Sequence, residues 1–185
     1  SPNRMFKNIN GQRFEEVTSA GGFGHIQKGH GVGFGDLDND GDQDIYAVMG
    51  GAFEGDNFTN VLFENPGFKN DWIALDIIGV KNNRDGIGTK IQISTKQMNG
   101  KASVFYQTVN TGGSFGASSL RVEMGLNKVQ NIDELKITWQ DGQVQIFNDV
   151  TPNKFYTIKE GAQSLSPNLL SSFTFVKNKE THHHH

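Results

Sequence analysis

The chain has no cysteine, which excludes disulfide staples, zinc–thiolate sites and thiol nucleophiles. That absence leaves the compartment open, because many secreted bacterial proteins also lack cysteine. No apolar run approaches the roughly 20 residues of a membrane-spanning helix. Basic residues are not in excess: 17 Lys and Arg stand against 20 Asp and Glu. Neither a nucleic-acid stripe nor a polybasic lipid anchor is therefore expected. Histidine is scarce outside His182 to His185, a run that reads as the remnant of an expression tag. Proline numbers only 4, and no window of ten residues or more carries an amphipathic helical pattern. No signal peptide opens the chain at Ser1-Pro2, which reads as the start of a fragment of something longer.

What is abundant is glycine, at 23 residues, with an aromatic content that is mostly Phe. Both favour strands joined by tight turns. Asp71 to Val80 is an apolar run fitting a strand buried on both faces. After it the pattern alternates. Ile91 and Ile93 oppose Lys90 and Gln92; Leu120, Val122, Met124 and Leu126 oppose Arg121 and Glu123; Leu135, Ile137 and Trp139 oppose Lys136, Thr138 and Gln140. Asp141-Gly142 has a type I′ hairpin signature leading into Val144 to Phe147, and Phe155 to Ile158 gives a further strand. Short alternating strands at this spacing predict an all-β protein with a sandwich or barrel.

The most informative stretch is Asp36-Leu37-Asp38-Asn39-Asp40-Gly41-Asp42-Gln43-Asp44. Carboxylates stand at positions one, three, five and nine, and glycine at six, where a tight turn needs positive φ. Alternation points Asp36, Asp38 and Asp40 inward together, the Gly41 turn returns Asp44 to them, and the carbonyl of Asp42 is placed to add an oxygen. Hard oxygen donors in that number suit Ca²⁺. Without a cation the inward carboxylates repel. An EF-hand would need flanking helices and a Glu at position twelve, but that position is Ala47. The flanks Gly31 to Gly35 and Ile45 to Val48 read as short strands, so the loop sits on a β-hairpin connection.

Residues Gly31 to Asp44 resemble the FG-GAP (integrin-α-type propeller, VCBS) calcium repeat. The downstream sequence resembles the ASPIC/UnbV module, on Asn83-Arg84-Asp85-Gly86-Ile87-Gly88, Gly112-Gly113-Ser114, Leu120 to Leu126, Ile137-Thr138-Trp139 and Asp141-Gly142. That module comes after such repeats in secreted bacterial proteins and in the vertebrate cartilage acidic protein. The two resemblances cover residues 3 to 160. They imply a propeller-blade-like calcium repeat packed on a sandwich- or barrel-like β module, in a secreted, periplasmic or cell-surface protein.

Three segments are expected: a repeat over 1–70, a β domain over 71–160, and a linker and tail over 161–185, with Pro66-Gly67 as the boundary signal. Asn3 to Asn8 matches Asn60 to Asn65 as Asn-x-apolar-Phe-x-Asn. This internal repeat suggests one blade plus the opening strand of the next, with Gly51 to Asn57 inserted. One blade cannot bury its faces alone. It must pack on the second module or on further repeats.

Other candidates weigh less. Gly112 to Gly116 matches G-x-S-x-G, but the hydrolase elbow needs a following helix and a downstream histidine; catalysis by Ser114 is not expected. Asn82 to Gly88 reads first as a turn, with Arg84 and Asp85 as possible partner contacts. His25 and His30 lack placed partners for a metal. Asn57-Phe58-Thr59 is a glycosylation sequon by pattern only. Phe53, Phe58, Phe68 and Phe115 sit in loop-like contexts where an exposed set would form a binding platform. The expectation is a non-enzymatic, calcium-binding extracellular module for protein interaction or adhesion. Its metal set is Asp36, Asp38, Asp40, Asp42 and Asp44, with a protein or glycan partner. Alternatives are a carbohydrate-binding accessory module and a fragment of a hydrolase.

Overall fold

A computed structural model describes residues 2–9, 11–26, 29–51, 54–55, 58–113 and 115–176. Among these described residues the secondary structure is all β, without a helix, and no sheet closes into a barrel. Two compact units are present. The first comprises Ser1–Gly35, Asp44–Pro66 and Thr111–Ser119; the second comprises Asp36–Gln43, Gly67–Asn110 and Leu120–His185.

In the first unit, β1 (Phe6–Ile9) and β2 (Arg13–Glu16) form an antiparallel pair. A second sheet has the order β3 (Gly29–Gly35), β4 (Asp44–Met49), β5 (Val61–Phe63), again antiparallel. The first copy of the internal repeat runs into β1 at Phe6, and the second contains β5. Phe115 and Gly116 lie backbone to backbone on β3. A Cβ at Gly31 would stand 2.0 Å from the Phe115 carbonyl oxygen, and one at Gly116 2.0 Å from that of Val32. Glycine is required on both sides of this seam, which accounts structurally for much of the Gly112 to Gly116 motif.

The second unit is a sandwich. One sheet has the order β11 (Val144–Val150), β10 (Val129–Thr138), β7 (Lys90–Gln97), β8 (Ala102–Thr108). The other has the order β13 (Ser166–Asn168), β12 (Phe155–Lys159), β6 (Asp71–Ile78), β9 (Val122–Asn127), with β6 and β12 parallel. Strand alternation dictates which side chains meet. Ile73, Leu75 and Ile77 of β6 join Val122, Met124 and Leu126 of β9 and Leu135 and Ile137 of β10 in one buried cluster. Each such aliphatic side chain contributes about 1.5–3 kcal/mol by leaving water.

Two expectations need correction. The hairpin at Asp141-Gly142 is not type I′, because only Gly142 has positive φ (+86°). Asp141 stays at negative φ, where its carboxylate accepts from the Gln143 amide at 2.9 Å. The amide of Gly142 donates to the Trp139 carbonyl at 3.0 Å, as in a type I turn followed by a left-handed residue. The stretch Ser164 to Asn168 is not a plain linker, since Ser166–Asn168 adds β13 to the edge of its sheet.

Just after β12, the Glu160 carboxylate gathers the turn at the end of β6. It accepts from the amides of Val80 (2.6 Å), Lys81 (2.7 Å) and Asn82 (3.0 Å), and from the Asn82 side chain at 2.8 Å. These donors, the Asn82 amide foremost, hold its pKa down at about 2.

This packing has two measurable consequences. Leu135→Ala, at a site with 0% exposure, should cost about 2–5 kcal/mol in chemical denaturation. A depressed Glu160 pKa stabilises the fold fully above its ordinary value of 4.5, and that contribution is lost as pH falls toward about 2. Glu160→Gln should therefore lower stability at neutral pH and flatten its decline in that acid window, measured by thermal melting at stepped pH.

Candidate metal centre

Residues 36–43 join β3 to β4 along the chain and belong to the second compact unit. The loop is folded by its own side chains. Asp36 accepts from the amides of Asp40 and Gly41, each at 3.1 Å, and Asp40 accepts from the amide of Asp42 at 3.1 Å. Asn39 (φ +58°) and Gly41 (φ +98°) supply the left-handed turns. Gly41 faces the Trp72 indole, and a Cβ there would stand 1.9 Å from the ring. No other residue fits that position without moving the tryptophan.

This winding brings one carboxylate oxygen each of Asp36, Asp38 and Asp40 within 4.8 Å of one another. Asp36 and Asp38 are buried, whereas Asp40 is exposed. Burial pushes the Asp36 pKa up from 3.8 to about 6, and the Glu123 and Asp40 carboxylates add to the rise; the Gly41 and Asp40 amides oppose it. An all-oxygen donor set with two desolvated carboxylates fits a hard divalent cation, whose charge would offset that cost.

Of the other predicted ligands, Asp42 turns its carboxylate toward Gly67, where a Cβ would stand 3.1 Å from Oδ2. Asp44, in the first unit, is 1% exposed and accepts from the Asn65 amide at 2.9 Å. Sequence reasoning missed Glu123, whose Oε2 accepts from the Asp36 amide at 3.1 Å. It shares no spacing with the loop; its one signal was an outward position on an alternating strand.

Ser114, Phe53, Asn57 and His182 to His185 lie outside the described residues. The His25 ring stacks edge-on to Phe63 at 5.6 Å. His30 lines a cavity of about 410 Å³ with Asn3, Phe34 and Ser118. The Asn82 to Gly88 segment is held as a turn: Asn83 Oδ1 accepts from the amides of Asp85 (3.1 Å) and Ile87 (3.2 Å). Arg84 and Asp85 line a cleft of about 270 Å³ with Asp76, Leu120 and Arg121.

Residues 1–47 match the family model of the FG-GAP-like repeat, and residues 79–165 match that of ASPIC and UnbV. The chain carries an FG-GAP-like repeat followed by an ASPIC/UnbV domain. FG-GAP-like repeats often bind Ca²⁺, and the three grouped aspartates all fall inside the matched repeat. Both domains are typical of extracellular or extracytoplasmic proteins, and neither is known as a catalytic domain. Among the described residues no helix is long and apolar enough to cross a membrane. No curated protein matches the chain.

In the metal-free protein the raised Asp36 pKa sets a pH dependence. Between 3.8 and about 6 the folded state keeps a proton that the unfolded state has lost, so stability should fall as pH rises through that window. Asp36→Asn, which cannot ionise, should flatten this slope in melts run with chelator. Equal slopes in the two proteins would show that Asp36 is not the group responsible.

Proposed function

We propose that this protein is a calcium-stabilised extracellular module for protein interaction or adhesion. The observation that carries the reading is the Asp36, Asp38 and Asp40 group: three carboxylate oxygens within 4.8 Å, on a loop matched as part of an FG-GAP-like repeat. Ca²⁺ is the preferred ion, because carboxylate and carbonyl oxygens suit its flexible coordination, and rigid extracellular sites fill at about 10⁻⁴–10⁻³ M. Asp42, through its carbonyl, and Asp44 complete the proposed ligand set. The ion's role is structural: it neutralises the loop and holds its turns. Secretion, to the cell exterior or the periplasm, is inferred from the company these domains keep.

A second reading, an accessory carbohydrate-binding module, is favoured by exposed loop aromatics. Phe68 and Phe115 are 77% and 83% exposed and Phe58 is also exposed, and aromatic faces of this kind receive sugar rings or apolar protein side chains. A glycan array run with and without Ca²⁺ separates the two.

The calcium reading has a direct thermodynamic test. Ca²⁺ at 100 times its dissociation constant should raise stability by about 2.7 kcal/mol, and Asp38→Ala should remove most of that gain. Melting temperatures that ignore both added Ca²⁺ and chelator would refute it.

A further inference from the structure

The sheet of β13, β12, β6 and β9 has two faces. Val122, Met124 and Leu126 of β9 enter the core, so Glu123 between them points the other way. Across the sheet Glu123 pairs with Ala74 of β6, which pairs in turn with Phe155 of β12. Ala74 and Phe155 are buried yet lie outside the core cluster; their cover is on the outer face. Trp72 packs on Phe155 at 4.9 Å, and the Arg121 guanidinium lies 5.2 Å from the Phe155 ring centre.

The aspartate loop is fastened to this same face. Glu123 Oε2 accepts from the Asp36 amide at 3.1 Å and from the Gln43 side chain at 2.9 Å, so one oxygen grips both ends of the 36–43 span. Gly41 abuts Trp72 in the middle. The carbonyl of Asp38 accepts from the Phe173 amide at 3.0 Å, which ties the chain beyond β13 to the loop as well.

We propose that Glu123 is a positioning residue for the metal loop, and that cation binding at Asp36, Asp38 and Asp40 is thereby coupled to the outer face of the ASPIC/UnbV sheet. The proposal rests on the calcium reading above. Glu123 stands outside the three-carboxylate group, and the oxygen it turns to the loop takes amide donors at both ends. Its action is to preorganise the span, so that less ordering remains when the ion enters. Outer partners of this kind typically carry about 10- to 100-fold in metal affinity. Trp72, in contact with the loop at Gly41, supplies an optical report of the event.

The test is a Ca²⁺ titration of the full chain, monitored by Trp72 fluorescence and by calorimetry. The wild-type signal should saturate, and Asp38→Ala should abolish it. Glu123→Ala should raise the dissociation constant about tenfold. Glu123→Gln keeps an acceptor for both donors and should lie closer to wild type than to Glu123→Ala. If Glu123→Ala does not fold, Gln43→Ala removes one of the two anchors from the loop side and should weaken binding in the same direction. Wild-type binding with unchanged affinity in Glu123→Ala or Gln43→Ala overturns the positioning role while leaving the calcium reading intact. An equal loss in Glu123→Gln and Glu123→Ala also overturns it, by assigning the effect to charge. A wild-type protein that binds no Ca²⁺ removes both.

Discussion

Like charges drawn together and shielded from water are the constraint on which the aspartate loop depends. Asp36, Asp38 and Asp40 bring oxygens within 4.8 Å of one another, and two of the three side chains are buried. Desolvation and mutual repulsion both oppose ionisation there, as the upward pressure on Asp36 records. Backbone amides of Asp40 and Gly41 relieve part of that cost. A divalent cation is the natural source of the remainder, and the donor chemistry is matched to one.

The loop holds its shape because a rigid sheet stands behind it. The second unit has a continuous aliphatic core between its two four-stranded sheets, and the strand β9 that contributes Val122, Met124 and Leu126 to that core offers Glu123 on its opposite side. A side chain so anchored has little freedom to lose when it engages the loop. The clamp at Glu160 works on the same principle at another corner of the unit, where a single carboxylate collects three consecutive amides.

The family boundaries and the physical boundaries differ in an instructive way. By sequence, the aspartate loop is part of the FG-GAP-like repeat matched over residues 1–47. By contact, residues 36–43 belong to the unit that contains most of the ASPIC/UnbV match, and residues 111–119 belong to the unit of the repeat. Each unit therefore contains a segment lent by the other's stretch of sequence. A cut at Pro66-Gly67, the strongest break signal in the composition, separates neither unit whole.

Much of this was legible in one dimension. Period-two alternation placed the strands over residues 90–93, 122–126 and 135–138, because a strand with one buried face must alternate; Leu120, expected on the buried face, lies before β9 and is exposed, and Trp139 lies just past β10. The spacing of Asp36, Asp38 and Asp40 around Gly41 disclosed the carboxylate group, because short-range turns are written in short-range residues. The hairpin at Asp141-Gly142 was placed but mistyped, since the choice turned on a side-chain hydrogen bond from the Gln143 amide to Asp141. The strand at Ser166–Asn168 had no pattern to reveal it, being an edge of three residues beside β12. By itself, then, the sequence determined the β periodicity and the local oxygen donors, both properties of residues a few positions apart. Only the tertiary structure decided that Glu123, 80 residues from Gln43 and 87 from Asp36, would hold the loop, because contacts at such separation depend on strand order, and no spacing along the chain encodes it.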